Sequence, residues 1–370
     1  MTPEVDAVET EVFGVHLTTA KAMRVAYQVD VSKSDKDNIV LIMDFAQNLT
    51  LPHVPDVPSS WYFLSLVSVS MFGVYCANDS SYNHFMYTER KGGKGANEVT
   101  SMLHHSLDLY SVFDAATKSP VDKDAMDTSV TVWADNCGGQ NKNAQVVWYL
   151  LFLVEYRVLN EAHLKFFTKG HTKNACDRGF GIIKRHMRRE SCWTMDTLVE
   201  AVERATENVS VVNLEEEEKP FWASKSFFAA RYRKVAGIQK YHIFRITREK
   251  SGFVECKEIP ASKGVWIRLH KDKEPKTQSL ADFLSTWSVV PKANDKPLNP
   301  EKLSGIYSKV LPFVPSQFTD DPIYMKPSAR MIETAQEIKR SRRSKADKKR
   351  KEREEVGVSV DDDEVKEAVV

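Results

Sequence analysis

Three aspartates carry the strongest signal for chemistry in this 370-residue chain. Asp44 and Asp135 each end a short apolar run that is typical of a buried strand, and Asp177 opens a helical pattern. If the two strands are neighbours in a sheet, their carboxyl ends meet at one edge, and a helix-borne acid can complete the cluster. Carboxylate oxygens are the ligands that Mg²⁺ and Mn²⁺ prefer. The alternative is that each aspartate only ends a strand or caps a helix.

Such a cluster predicts phosphoryl transfer. A pair of divalent ions can activate a water or a sugar hydroxyl and stabilise the leaving oxygen. We therefore expect a two-metal site that uses Mg²⁺ or Mn²⁺.

Two stretches around these aspartates resemble a known family. They are Asp135-Asn-Cys-Gly-Gly-Gln-Asn-Lys-Asn143 and Gly170-His-Thr-Lys-Asn-Ala-Cys-Asp-Arg-Gly-Phe180. Over roughly residues 35–210 the chain resembles an uncharacterised, transposase-derived domain with a ribonuclease H-like fold, related to DDE-type transposases and integrases. The resemblance implies that Asp44, Asp135 and Asp177 form the metal-binding triad.

The elements that must position these acids alternate along the chain from about residue 38 to 211. The pattern predicts three strands, a helix, a strand, a helix, a strand and a helix. The first three strands can form a meander, and the later two can join in parallel through right-handed crossovers. With the resemblance, this order predicts an α/β fold, a ribonuclease H-like mixed five-stranded sheet with flanking helices.

Breaks in composition predict the domain organisation. The predicted parts are an N-terminal extension (1–34), the ribonuclease H-like domain (35–212), a small β-rich appendage (213–290), a Pro-rich irregular segment (291–337) and a disordered basic-then-acidic tail (338–370).

Four polar residues are candidates for supporting roles. Glu98 is either a fourth carboxylate or a helix N-terminal acid favoured by the dipole. Gln140 and Asn141 either orient a water or a phosphate, or form a turn before a helix. His171 either assists proton transfer or is structural.

Basic residues near the acids suggest a nucleic-acid backbone. Residues 165–190 carry eight Lys or Arg against two acids. The contact candidates are Lys142, Lys173, Arg178, Lys184 and Arg188. Lys184 and Arg188 project close to the direction of Asp177 on a helix. The alternative is an ordinary solvated helix face.

Composition restricts the partners and the compartment. Five scattered cysteines favour reduced thiols, and no apolar run reaches the length of a membrane span, so no membrane partner is expected. The acidic N-terminus does not resemble a secretory signal. The basic clusters at 339–343 and 348–351 predict a nuclear location.

Three functions are therefore weighed. The first is a transposase- or integrase-like protein that cleaves or joins DNA strands, with DNA as its partner. The second is a catalytically silent, domesticated protein that binds nucleic acid or protein on the same fold. The third is a nuclease of the same architecture that acts on RNA. A homo-oligomer, and a truncated copy lacking an N-terminal zinc-binding module, are left open.

Overall fold

The structure is a computed structural model that describes residues 3–113, 128–272 and 280–334, together with 336, 337, 340, 341 and 344. Within it the chain divides into two compact units. The first comprises Met1–Pro55 and Ser68–Lys296, and the second comprises Asp56–Val67 and Pro297–Val370.

Within the described residues, one ten-stranded mixed sheet forms the frame of the first unit. The strands are β1 (Asn38–Phe45), β2 (Leu49–Leu51), β3 (Val67–Cys76), β4 (Ser81–Thr88), β5 (Ser129–Ala134), β6 (Glu161–Phe166), β7 (Val209–Asn213), β8 (Ile243–Thr247), β9 (Phe253–Lys257) and β10 (Val265–Arg268). Their order across the sheet is β10-β9-β8-β6-β5-β1-β3-β4-β7, and β2 pairs with β3.

The centre of the sheet has the predicted strand pairing. β1, β3 and β4 form an antiparallel meander. β5 then joins β1 in parallel, and β6 joins β5 in parallel. β1 occupies the middle because it is an almost unbroken apolar run, which is typical of a strand covered on both faces.

The prediction of a five-stranded sheet is wrong, because the sheet continues at both edges. β7 pairs in parallel with β4, and β8 pairs antiparallel with β6. β9 and β10 extend that same edge. Residues 213–290 are therefore not a separate β-rich appendage, and Phe244 and Cys256 pack in the core of the main sheet. Edge pairing is decided by hydrogen bonds to a distant strand, which the local pattern does not reveal.

Helices cover both faces of the sheet. They are α1 (Pro3–Ser32), α2 (Ala96–Leu109), α3 (Ala144–Glu155), α4 (Ala175–Met187), α5 (Met195–Glu203), α6 (Lys225–Arg231) and α7 (Leu280–Ser288). Residues of α2 and α3 share a core with Leu41 and Val132. On the opposite face, Met23 of α1 and Cys176 of α4 share a second core with Ile42.

The helix α1 is the main element that the sequence did not predict. It occupies most of the segment interpreted only as an N-terminal extension. Ala20 and Met23 are buried, and Tyr27 is half-buried against the second core. The intervening valines, threonines and charged residues dilute the helical period, so packing on the sheet rather than intrinsic propensity decides this helix.

The second unit contains short helical segments where an irregular Pro-rich chain was predicted over 291–337. The helix α8 (Pro300–Gly305) begins after Asn299, whose side chain accepts a hydrogen bond from the Glu301 amide at 2.9 Å. Single turns follow at 306–318 and 322–324. Several prolines stand in the first turn of these segments, where a missing amide hydrogen costs nothing.

The predicted tail from residue 338 lies outside the described residues apart from 340, 341 and 344, and so do nearly all of its basic clusters. None of the helices within the described residues combines the length and the hydropathy that spanning a bilayer requires. All five cysteines are free thiols.

Candidate metal centre

Asp44 and Asp135 lie side by side where β1 and β5 end. Asp44 is the second-last residue of β1, and Asp135 directly follows β5. The parallel register pairs Met43 with Ala134, so the next residue of each strand stands opposite the other. Alternation along the strands directs both aspartates to the face that α1 and α4 cover.

Asp177 lies in the first turn of α4, which packs over the same face. The Asn174 side chain accepts a hydrogen bond from the Cys176 amide at 2.7 Å, and Asp177 Oδ2 accepts one from the Asn174 amide at 2.9 Å. This reciprocal cap fixes the start of the helix. The Cys176 thiol donates to the Ile42 carbonyl oxygen at 3.1 Å, which ties that start to β1.

The three aspartates share one electrostatic environment. Burial, together with the negative charges of Asp135 and Asp177, raises the pKa of Asp44 from 3.8 to about 7. Hydrogen bonds from the Phe45 amide, at 2.8 Å, and from the Asn174 side chain oppose that rise. The fold therefore brings together the three acids that the sequence singled out, although 91 residues separate the first two and 42 the last two.

The site offers hard oxygen donors, which suit a Mg²⁺-like cation. Asn141 Nδ2 donates to Asp135 Oδ1 at 2.5 Å, while Asn141 Oδ1 is buried without a hydrogen-bond partner. An amide oxygen without a partner, on a side chain bonded to Asp135, is a donor of the type that such an ion accepts. Across the described residues, no three His, Cys, Asp or Glu side chains are already placed to hold one ion. Asp177 is instead engaged in its helix cap.

Lys94, which is not among the predicted site residues, lies near Asp44. Lys94 Nζ donates to the Ala46 carbonyl oxygen at 2.7 Å and lies 4.9 Å from the centre of the Phe45 ring. Burial lowers the pKa of Lys94, and the Asp44 charge counteracts that effect. The residue stands in Gly92-Gly-Lys-Gly95, a glycine-rich stretch directly before α2. The one sequence feature that could have pointed to Lys94 is its position between glycines directly before a helix.

A groove leads away from Asp177 along α4. Its wall includes Lys184 and Arg188, both exposed, and the polar loop residues Gln47 and Asn48 on the other side. Lys184 Nζ lies 3.3 Å from Gln47 Oε1. Two of the predicted nucleic-acid contacts therefore line one groove that ends at a predicted metal ligand.

Glu98 is placed as a helix cap and not as a fourth carboxylate. Its Oε1 accepts from the Gly93 amide at 2.9 Å, and its Oε2 accepts from the Gly95 amide at 3.1 Å. Both carboxylate oxygens thus satisfy amides at the start of α2, as expected for an acid at a helix N-terminus. The helix-capping alternative is the one that the structure supports.

Lys142 is buried, so the prediction that it contacts nucleic acid is wrong. Its side chain is 0% exposed. Its Nζ donates to the Gln239 carbonyl oxygen at 2.8 Å and lies 5.4 Å from the centre of the Phe166 ring. Burial lowers the pKa of Lys142 to about 8. The partner carbonyl comes from a segment 97 residues away, which no local pattern could indicate.

The remaining supporting candidates are Gln140 and Asn141, in the loop after β5, and His171, on the surface. The Gln140 carbonyl oxygen accepts from Asn143 Nδ2 at 2.7 Å, and the Asn143 side chain caps α3, so this part of the stretch is turn and cap. His171 is exposed and its ring lies 5.3 Å from that of His16. Of these candidates, Asn141 is the one bonded to an aspartate of the cluster.

We expect Lys142→Ala to destabilise the protein by about 2–4 kcal/mol, because it leaves a cavity and an unpaired buried carbonyl oxygen. Urea denaturation measures the free energy of unfolding. The exposed Lys184→Ala is the matched control and should change it by less than about 0.5 kcal/mol. A Lys142→Ala variant as stable as the wild type would contradict the structural role.

Comparisons with known proteins place the chain in a family without assigning it an activity. A family model described as a domain of unknown function (DUF7869) matches residues 68–262, and the chain belongs to that family. The comparison with curated proteins returns no match.

Among solved structures, the MID-PIWI domains of N. crassa QDE-2 AGO match with 13% sequence identity and a TM-score of 0.19. The match covers 35% of this chain and 34% of that one. At this score, the likeness does not bear on the fold.

Proposed function

We propose that this chain is a divalent-metal-dependent phosphoryl transferase that cleaves or joins DNA strands, on a ribonuclease H-like fold of the transposase and integrase class. The observation that carries the proposal is the register that sets Asp44 beside Asp135 at the ends of two adjacent parallel strands. Burial raises the pKa of Asp44, and the charges of Asp135 and Asp177 add to that rise. Such mutual repulsion is relieved by a cation, so it favours a metal site over three unrelated caps.

The arrangement of strands supports the fold assignment. A three-stranded meander with two parallel additions beside its first strand is the order that the resemblance implied. The acids also fall where that assignment requires them, at the ends of two adjacent parallel strands and at the start of a crossing helix. The additional strands β7 to β10 extend the sheet beyond β4 and β6 and leave the order of the central strands unchanged.

Asp44, Asp135 and the free Asn141 oxygen would hold the first ion, and Asp177 would contribute to a second. Bound Mg²⁺ or Mn²⁺ supplies a hydroxyl of lowered pKa and stabilises charge on the leaving oxygen. The chain's own cation near this point is Lys94, which would orient a phosphate next to Asp44.

The α4 groove supports a nucleic acid as substrate. Lys184 and Arg188 line a path that ends at Asp177, and exposed cations in a row bind phosphates through counterion release. The buried Lys142 takes no part in this path. A nuclear location, suggested by the basic clusters of the tail, is consistent with a DNA substrate and is part of the proposal.

A second candidate is a silent protein that kept the fold and its basic surface. The observation that favours it is that each aspartate already accepts a local hydrogen bond. Asp177 caps α4, Asp44 accepts from the Phe45 amide, and Asp135 accepts from the Asn141 side chain. This protein would bind DNA with no need for a metal and would cleave none.

A cleavage assay tests the proposal. The full chain should nick or cut DNA in Mg²⁺ or Mn²⁺ and show no activity in EDTA, since hydrolysis needs the activated hydroxyl. Matched single-stranded DNA, duplex DNA, RNA and RNA–DNA hybrid are compared. Faster cleavage of RNA or of the hybrid would favour the RNA nuclease. DNA binding without cleavage in either metal would favour the silent protein.

A further inference from the structure

A second cleft adjoins Asp177, and the proposed function does not use it. It lies between α1 and α4. Its lining residues are Arg24, Tyr27, Lys173, Asn174, Asp177 and Arg178. Asp177 lines both this cleft and the α4 groove, so the two meet at the carboxylate cluster.

The α1 wall of the cleft is anchored to the sheet. Trp133 Nε1 donates to Asp30 Oδ2 at 2.8 Å, and Lys165 forms an ion pair with the same carboxylate at 2.8 Å. Arg24 Nη2 donates to the Lys173 carbonyl oxygen at 2.5 Å, directly before the cap of α4. The wall is therefore a fixed part of the first unit, and the cleft is preorganised.

The cleft is strongly cationic. Arg24, Lys173 and Arg178 line it, and Asp177 is the one acid in its lining. Lys173 and Arg178 are exposed. Three cations around one carboxylate that is itself a candidate metal ligand suit a chain of phosphates.

Tyr27 lines the cleft, and Tyr75 and Tyr82 lie near it outside the lining. Tyr27, Tyr75 and Tyr82 are all half-buried, and the Tyr75 and Tyr82 rings are 4.7 Å apart. Burial raises the pKa of both Tyr27 and Tyr82, and the charge of Arg178 opposes that rise, which places Arg178 near both rings. Gly179 lets the helix sit on Tyr82, because a Cβ there would lie 2.9 Å from the ring.

We propose that the cleft between α1 and α4 is a binding subsite for unpaired DNA next to the carboxylate cluster. Aromatic rings among cations stack bases without regard to sequence, and only unpaired bases expose the faces they need. The strand would continue past Asp177 into the α4 groove. The assignment rests on the proposed function, because it names the form of the substrate at the same site.

The test measures binding by the full chain in EDTA, so it does not depend on catalysis. Fluorescence anisotropy compares a labelled oligo(dT), a duplex of the same length and an oligo(U). The wild type should bind oligo(dT) at least about fivefold more tightly than the duplex. Lys173→Ala with Arg178→Ala should weaken oligo(dT) binding at least about tenfold and reduce its salt dependence by about two phosphate contacts.

The matched control is Lys21→Ala with Lys33→Ala. Both lysines are exposed, belong to or directly follow α1, and lie outside the cleft lining. This double variant removes the same charge and should change oligo(dT) binding by less than about twofold. Urea denaturation of both double variants confirms that each is folded.

Several outcomes would overturn the subsite: no binding of oligo(dT) by the wild type, equal losses in the two double variants, or an equal loss for the duplex. Tighter binding of oligo(U) would overturn the choice of DNA. These failures differ from failure of the proposed function, because a protein can bind oligo(dT) as expected and still cleave nothing in Mg²⁺.

Discussion

Asp135→Asn is expected to abolish metal-dependent DNA cleavage, with a loss of at least about a thousandfold. Asparagine keeps the shape of the side chain and an oxygen that can accept from Asn141 Nδ2, so the fold should persist. It removes the negative charge at the strand end where Asp44 and Asp135 meet. A loss of about 4 kcal/mol in transition-state stabilisation corresponds to a thousandfold change in rate.

The rate of plasmid nicking in Mg²⁺ measures this effect. Asp56→Asn is the matched control, since Asp56 is exposed and belongs to the second unit. The control should keep wild-type activity and unfold at the wild-type urea concentration. Asp135→Asn should be at least as stable as the wild type, because it removes a charge that opposes ionisation of Asp44. Nicking by Asp135→Asn at the wild-type rate would refute the assignment of this aspartate.

Asp44→Asn is expected to stabilise the metal-free protein at alkaline pH while it destroys cleavage. The pKa of Asp44 is about 7 in the folded protein against 3.8 for the ordinary group. The folded state therefore holds the proton more tightly, and the wild type loses stability as pH rises from about 4 to about 7. At 1.36 kcal/mol per pKa unit, the full loss is ~4 kcal/mol, which the neutral asparagine avoids.

Urea denaturation in EDTA at pH 5 and pH 8 measures the difference. The gain of Asp44→Asn over the wild type should be less than about 2 kcal/mol at pH 5 and about 4 kcal/mol at pH 8. Asp35→Asn should instead become less stable relative to the wild type as pH rises. Hydrogen bonds from the Asp37 and Asn38 amides lower the pKa of Asp35, so its ionised form stabilises the folded state. An Asp44→Asn variant that is less stable than the wild type at pH 8 would show that burial and the neighbouring acids do not destabilise the ionised Asp44 carboxylate.

The part of the fold that the sequence predicts is the part in which local pattern and burial agree. The runs that end at Asp44 and at Asp135 are apolar enough to be buried strands wherever they lie, and the meander follows from their order. The edges were not predictable in this way. Whether β8 pairs with β6 or forms a separate unit depends on two backbones that are distant in sequence.

The same distinction applies to the site. The sequence singles out Asp44, Asp135 and Asp177 because their types and positions relative to strands and helices are informative; that they bind a metal stays a prediction. Lys94 was not singled out and Lys142 was assigned wrongly, because the environment of a lysine is set by distant groups. Lys94 is held near Asp44 by a hydrogen bond to the Ala46 carbonyl oxygen. Lys142 is buried and donates to the carbonyl oxygen of Gln239, 97 residues away.

The position of β1 has a consequence for dissecting this protein. The family match begins at residue 68, but β1 lies between β3 and β5 in the middle of the sheet. A fragment trimmed to residues 68–262 would lack its central strand together with Asp44. β3 and β5 would then each have an unpaired edge of backbone amide and carbonyl groups exposed to water, and such edges promote aggregation. We therefore expect that the segment able to fold by itself is longer than residues 68–262, which match the family model.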